Sequence, residues 1–189
     1  RANDGITFND TIDGGLGADT IYGSTGNDYV KFDVNDALVD GGAGNDTLAM
    51  SAAGTLDASV AGIFSNFEVY KGSSAADIIR GSSAGETILG EGGADHLWGS
   101  AGTDNIKGGA GADTYWYYSG DATDTIADDQ NNIKSDVVFF ADKNFADLTF
   151  TASGANLNID LGAASGTGND TLVLDNWLTY GLNSVTVNN

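Results

Sequence analysis

The chain has 189 residues, with 28 Gly, no Pro and no Cys, and its 27 Asp and Glu stand against 7 Lys and Arg for a net charge of −20. That charge argues against nucleic acid and anionic membrane as partners and leaves cations as the natural counterpart, while the lack of Cys removes disulfides and thiolate metal sites. No charged-then-apolar leader and no apolar run long enough to span a bilayer occurs, and the entry into a degenerate repeat at residues 5–13 suggests a chain cut from a longer one.

The first block, residues 1–49, is periodic at nine. Gly14-Gly15-Leu16-Gly17-Ala18-Asp19-Thr20-Ile21-Tyr22 abuts Gly23-Ser24-Thr25-Gly26-Asn27-Asp28-Tyr29-Val30-Lys31, Asp10 lies in the same register, and the pattern returns at Gly41-Gly42-Ala43-Gly44-Asn45-Asp46-Thr47-Leu48. It is Gly-Gly-x-Gly-x-Asp-x-U-x, with U a large apolar residue, a signature of calcium-binding parallel β-structure. Nine residues divide into a six-residue turn and a three-residue strand, so U points inward and its two neighbours outward. Two repeats make one coil and stacked equivalents stand eighteen apart, which predicts an all-β, right-handed parallel β-roll of two thin sheets face to face.

The interval from Asp46 to Asp77 is not a multiple of nine, so residues 50–71 form an enlarged coil or a loop. Glu68 is nine before Asp77, which puts Val69 and Tyr70 back in register and leaves residues 51–66 as a protrusion, either a tolerated insertion or a partner-binding surface. In the second block, residues 72–116, Asp77, Glu86, Asp95, Asp104 and Asp113 step by nine. The inward positions are Ile12, Ile21, Val30, Leu48, Ile79, Ile88, Leu97, Ile106 and Tyr115.

Glycine permits φ > 0 and lets several turn carbonyls aim at one point. Carbonyls plus short carboxylates suit a hard cation that takes six or more oxygens at about 2.3–2.6 Å, and calcium tolerates irregular geometry better than magnesium. The candidate metal-binding carboxylates are Asp10, Asp19, Asp28, Asp46, Asp77, Glu86, Asp95, Asp104 and Asp113. The turn glycines with them are Gly14, Gly15, Gly17, Gly23, Gly26, Gly41, Gly42, Gly44, Gly90, Gly93, Gly99, Gly102, Gly108, Gly109 and Gly111. Phe8, Ala75 and Ala84 replace turn glycines and Glu86 is a longer carboxylate, which predicts weaker sites there. Nine on from Asp28 stands Ala37, so Asp19 lacks a partner unless Asp36 substitutes through a local shift. The expectation is about four to six Ca2+ ions with affinity on the order of 10⁻⁴ to 10⁻³ M.

Residues 117–189 shift to aromatic and alternating strand-like segments, expected to form a β-rich cap over the last coil. Asp124 and Asp170 lie outside the strict register and read as turn residues in preference to further ligands. Arg80, Trp98 and Trp116 are eighteen apart, each one past an inward position, and so line the outer face of one sheet beside Ile78, His96 and Thr114. Either the C-terminal segment folds over this stripe, or it is a docking face for a neighbouring copy or a glycan.

His96 is the only His, so a two-histidine metal helix is impossible. Gly81-Ser82-Ser83-Ala84-Gly85 matches Gly-x-Ser-x-Gly, but it falls in a repeat turn and lacks the strand-to-helix context of a nucleophile elbow. No catalytic residue is assigned.

Over roughly residues 5–115 these motifs closely resemble the repeats-in-toxin family of secreted bacterial proteins, and the segment after them is more diffusely similar to that following the repeats of hemolysin-type calcium-binding proteins. The resemblance implies an ion between each turn and the turn eighteen residues on, pairing Asp10 with Asp28, Asp28 with Asp46, Asp77 with Asp95, Glu86 with Asp104 and Asp95 with Asp113. It also implies type I secretion from an uncleaved C-terminal signal, with folding on calcium outside the cell. The role expected is a structural or adhesive module of a surface-layer, matrix or adhesin protein. The alternative is the secretion and folding appendage of a toxin or secreted hydrolase.

Overall fold

A computed structural model describes residues 8–127, 136–163, 169–176 and 184–187. Each repeat spends most of its nine residues on the turn, so the repeat strands are three or four residues long. On the first face, β1 (Thr11–Asp13), β3 (Tyr29–Phe32), β5 (Thr47–Met50), β8 (Val69–Lys71), β10 (Thr87–Leu89), β12 (Asn105–Lys107), β14 (Thr123–Ile126) and β18 (Asn169–Leu174) pair in parallel in that order. β17 (Asn156–Ala163) and β16 (Thr149–Ser153) then add antiparallel, completing a 10-stranded sheet.

The second face is split. A 3-stranded sheet holds β2 (Thr20–Tyr22), β4 (Leu38–Asp40) and β7 (Phe64–Ser65). A 6-stranded sheet holds β6 (Thr55–Asp57), β9 (Ile78–Arg80), β11 (His96–Trp98), β13 (Thr114–Tyr117), β15 (Val137–Phe140) and β19 (Ser184–Val187). The chain is thus an all-β parallel roll.

Register stacks the inward residues into two ladders. Ile12, Val30, Leu48, Tyr70, Ile88, Ile106 and Ile126 succeed one another on the first face. Leu56, Ile79, Leu97, Tyr115 and Val138 do so on the second. All but Ile12 are buried, Val30, Leu48, Leu56, Ile88, Leu97 and Val138 completely. Burying each such aliphatic side chain contributes about 1.5–3 kcal/mol, so the ladders are the main cohesive term of a coil whose turns have little apolar surface.

The split arises in the enlarged coil. Thr47 pairs with Val69, a longer step than the regular eighteen, and the regular step resumes from Val69 to Thr87. Inside that coil the chain lays down two strands on the second face, β6 against β9 and β7 against β4. Within residues 51–66 Leu56 fills an inward position with no exposure and Ala58 is buried, while 51–53 and 59–62 stand exposed. The parallel stack also runs past residue 117. Asn105 of β12 pairs with Thr125 of β14, and Thr114 of β13 with Val137 of β15, both across coils longer than the regular eighteen. The antiparallel part of the C-terminal segment is accordingly limited to β16, β17 and their junction with β18.

Candidate metal centres

Two rows of carboxylates run along the turns, one before each face. In the first row the backbone N–H of an acidic residue donates to the carboxylate one coil on: Asp10 to Asp28 Oδ1 (2.8 Å), Asp28 to Asp46 (2.7 Å), Asp46 to Glu68 Oε2 (2.8 Å), Glu86 to Asp104 (2.7 Å) and Asp104 to Asp124 (2.9 Å), with Glu68 the break in the series, its N–H donating to Asp46 O (3.2 Å). In the second row Asp77 donates to Asp95 (2.8 Å), Asp95 to Asp113 (2.9 Å) and Asp113 to Asp136 (2.8 Å). At the start of the chain, Asp19 donates to Asp36 Oδ1 at 3.2 Å, so Asp36 takes the place left by Ala37, one residue early.

One carboxylate oxygen is thereby fixed on a peptide N–H, which orients the other. Oδ2 of Asp28, Asp46, Asp95, Asp104 and Asp124 and Oε2 of Glu86 are buried with no hydrogen-bond partner, as is Oδ2 of the half-buried Asp19. A buried oxygen without a donor costs about 1–3 kcal/mol, more when charged, so a row of them requires a counter-charge or a proton.

A glycine stands five residues before most of these carboxylates, and a side chain there would collide with their oxygens. A Cβ on Gly23 would lie 2.2 Å from Gly41 O and 2.5 Å from Asp28 Oδ2; on Gly90, 2.5 Å from Gly108 O and 2.6 Å from Asp95 Oδ2. On Gly72 and Gly81 it would meet the carbonyls of Gly90 and Gly99 at 2.5 and 2.3 Å, with Asp77 Oδ2 and Glu86 Oε2 at 2.9 and 3.0 Å. On Gly41 it meets Asn66 O at 2.2 Å and Asp46 Oδ2 at 2.9 Å, and on Gly14 it comes 3.2 Å from Asp19 Oδ2. At each of these glycines a carboxylate oxygen and, in the stacked coils, a turn carbonyl oxygen gather where a side chain would otherwise stand. Among the described residues no three acidic or His side chains converge on one point. A cation held here would meet a mixed shell of carboxylate and main-chain carbonyl oxygens, which suits a hard and geometrically tolerant ion.

The electrostatics agree. Burial, with like charges of the same row adding to it, pushes Asp95 up to about 7. Asp104 is pushed to about 8 by burial and by Asp124 and Glu86, and Asp124 to about 8 by burial and then by Asp121 and Asp170. Asp46 and Glu86 are raised by burial as well.

The turns are not equivalent. Gly26, Gly44 and Gly111 have φ of 131°, 154° and 152°, and a Cβ there would sit within 1.7 Å of a carbonyl oxygen of the preceding coil. The clash runs from the later coil onto the earlier, so Phe8, Ala75 and Ala84 are tolerated as the residues on which Gly26, Gly93 and Gly102 stack. In the two alanine turns serine replaces glycine's role: Ser73 and Ser82 Oγ accept from the N–H of Ala75 and Ala84. Ser73 also donates from N–H (2.6 Å) and Oγ (2.9 Å) to Asp77 Oδ2, while Gly54 N–H holds Asp77 Oδ1 (2.9 Å), so Asp77 is satisfied by protein donors alone. At Gly108 the Tyr115 hydroxyl enters, accepting the Gly108 N–H at 2.9 Å. A Gly108 Cβ would lie 2.5 Å from that hydroxyl and 2.2 Å from Asp113 Oδ2.

The nine candidate carboxylates, Asp10, Asp19, Asp28, Asp46, Asp77, Glu86, Asp95, Asp104 and Asp113, stand along these turns. Glu68, Asp124 and Asp136 join them, and Gly72 and Gly81 join the glycines. The reading of Asp124 as an isolated turn residue is corrected, because the longer coil after Asp104 brings it to the next place in the row. Asp170 is not in the row: β14 and β18 pair Asp124 with Leu172. Glu68 was legible from its spacing to Asp77; Asp124 and Asp136 carry no spacing signal.

The aromatic stripe lies on the outer face of the 6-stranded sheet and borders a groove of about 350 Å³. Arg80 stacks over Trp98 at 3.8 Å, Trp98 packs on Tyr118 at 4.5 Å and Trp116 meets Phe139 edge-on at 4.5 Å. Trp98 and Trp116 are half-buried and His96 is exposed, and the groove's described lining ends at Tyr118, so no described C-terminal strand covers it.

The RTX calcium-binding nonapeptide repeat is matched in 4 copies, over residues 4–33, 38–49 and 80–115. Among solved structures the chain is similar to the AlgE6R3 subunit of the mannuronan C5-epimerase of Azotobacter vinelandii, at 22% identity over 61% of this chain and 80% of that one, with a TM-score of 0.32. It is also similar to the extracellular lipase LipA of Serratia marcescens, at 17% identity over 89% of this chain and 37% of that one, with a TM-score of 0.30. No curated protein matches the chain.

Proposed function

Because this chain carries RTX calcium-binding nonapeptide repeats, we propose that it is a calcium-dependent folding module of a secreted bacterial protein, with a structural or adhesive role in a surface layer, matrix or adhesin. The observation that carries the reading is the row of buried, donor-less carboxylate oxygens, of which those of Asp28, Asp46, Glu86 and Asp95 stand beside a turn glycine that a main-chain carbonyl also approaches. About four to six ions fill these spaces, each between carboxylates of successive coils and turn carbonyls. At tenfold excess over its dissociation constant one ion stabilises the folded state by about 1.4 kcal/mol, so five contribute about 7 kcal/mol. That equals the whole stability of many domains, and is enough to make folding conditional on calcium.

Inside a cell calcium is scarce, the rows repel, and the chain stays extended for type I export; outside, binding and folding become one event. The groove beside Trp98 and Trp116 is the face offered to a neighbouring copy or a cell-surface glycan. The reading assigns no catalysis to this chain. The alternative, a secretion and folding appendage of a toxin or hydrolase, uses the same switch and places the activity elsewhere in a longer protein.

Sedimentation velocity of the metal-stripped chain, with calcium raised to millimolar, tests this. The expected result is an extended species that compacts at constant mass, with growth into oligomers marking the assembly role. A species already compact and indifferent to calcium would overturn the reading.

A further inference from the structure

Two successive turns, Gly72-Ser73-Ser74-Ala75-Ala76-Asp77 and Gly81-Ser82-Ser83-Ala84-Gly85-Glu86, have alanine at the fourth place. In the turns that open at Gly14, Gly23, Gly41, Gly90, Gly99 and Gly108 the fourth residue is glycine, and the second and fourth residues both have positive φ, from 69° at Ser100 to 154° at Gly44. None of Ser73, Ala75, Ser82 and Ala84 has positive φ. The fourth place decides the conformation, because its glycines have φ of 126° at Gly17 and above, a region that a residue with a Cβ rarely enters. Serine at the second place does not decide it, since Ser24 and Ser100 keep φ of 87° and 69°.

The altered turn changes what the carboxylate meets. Gly23 and Gly72 hold equivalent places: an added Cβ would lie 2.2 Å from Gly41 O and 2.5 Å from Asp28 Oδ2 at the first, and 2.5 Å from Gly90 O and 2.9 Å from Asp77 Oδ2 at the second. Asp28 Oδ2 is buried with no partner, whereas Asp77 Oδ2 accepts the Ser73 N–H (2.6 Å) and hydroxyl (2.9 Å). Asp77 Oδ1 accepts the N–H of Gly54 (2.9 Å), which stands in the enlarged coil where an acidic residue stands in the other coils of the row. Both oxygens of a carboxylate only 1% exposed are thus taken by protein donors. A cation at this turn would face the hydrogen ends of an N–H and a hydroxyl and would have to strip both from Asp77. The turn 81–86 shares the conformation without the outcome: Ser82 Oγ bonds Glu86 Oε1, and Oε2 is left without a donor.

We infer that the turn 72–77 is closed to calcium, with Ser73 in the place of the ion, so that the pair Asp77 and Asp95 of the repeat pattern holds none and the ions of the second row begin at Asp95. Ala75 sets the closed conformation and Ser73 supplies the donors. The turn joins the enlarged coil to the second block, through the Gly54 N–H on Asp77 and the Ile78 N–H on Gly54 O (2.9 Å). Closure makes that joint independent of the ion on which the flanking turns depend. This rests on the proposal that the chain binds calcium at its other turns.

Calorimetric titration of the full chain with calcium counts the ions bound by wild type, by Asp77→Asn and by the double variant Ser73→Gly with Ala75→Gly. The double variant restores the Gly-Gly-x-Gly-x-Asp pattern at this turn and should bind one calcium equivalent more than wild type. Adding Asp77→Asn to the double variant should remove that equivalent again, whereas Asp77→Asn by itself should leave the wild-type count unchanged. A double variant with the wild-type count, or an Asp77→Asn single variant with one equivalent fewer, would overturn the closed turn while calcium binding at the other turns stands. Should Asp77→Asn not fold, the count of the double variant decides alone. A wild type that binds no calcium would instead sink the proposed function.

Discussion

At the residue scale, the carboxylates are held by one oxygen and directed by the other. The N–H that fixes Asp28 comes from Asp10 and the one that fixes Asp46 comes from Asp28, so each coil orients the carboxylate of the next. Tyr115 departs from this economy, since an aliphatic residue would leave the space beside Gly108 open and the phenol places an oxygen there instead. Tyr115→Phe should remove the acceptor of the buried Gly108 N–H at a cost of about 1–3 kcal/mol in the absence of calcium. Calcium should not recover the loss, because a cation cannot accept the Gly108 N–H. Thermal unfolding with and without calcium checks this, and a variant as stable as wild type in both conditions would show that this N–H finds another acceptor.

At the element scale, a three-residue strand is too short to be stable by itself, and its cohesion comes from the inward residue and its stacked neighbours. The enlarged coil keeps this rule while carrying an extra strand, because Leu56 continues the ladder that Ile79 and Leu97 extend. Leu56→Ala should therefore cost about 2–5 kcal/mol, as for any buried large-to-small change. Denaturant unfolding in saturating calcium measures it; a cost near that of a surface substitution would show that the coil is an independent loop. The existence of this coil was legible, since the interval from Asp46 to Asp77 is not a multiple of nine and Glu68 restores the register. Its course was not, because the sequence has no mark for which edge of a sheet a short strand joins.

At the scale of the whole molecule, the acidic rows act together. Folded-state values of about 7 for Asp95 and about 8 for Asp104 and Asp124 lie above the ordinary 3.8, so the metal-free fold binds protons that the unfolded chain releases. Stability from these groups is fully present below pH 3.8 and is lost as pH rises through about 7 to 8. Calcium must displace the same protons, so its apparent affinity should fall as pH drops from about 8 to about 6. Titration calorimetry in two buffers of different ionisation enthalpy should show proton release on binding, and affinity independent of pH over that range would contradict it. The net charge of −20 adds to the effect by opposing compaction until cations bind.

The periodicity of nine determined by itself the strand, the turn, the inward ladder and the ligand type, because each is a local consequence of where Gly, Asp and an apolar residue stand within one repeat. Asp36 could be suspected from the gap left by Ala37 for the same reason. The tertiary structure alone decided what depends on the length of a coil: the split second face, the joining of Asp124 and Asp136 to the rows across lengthened coils, and the meeting of Asp170 with the β14 turn. A coil of altered length still stacks, because parallel pairing constrains where a strand begins and leaves free how many residues the turn spends in reaching it.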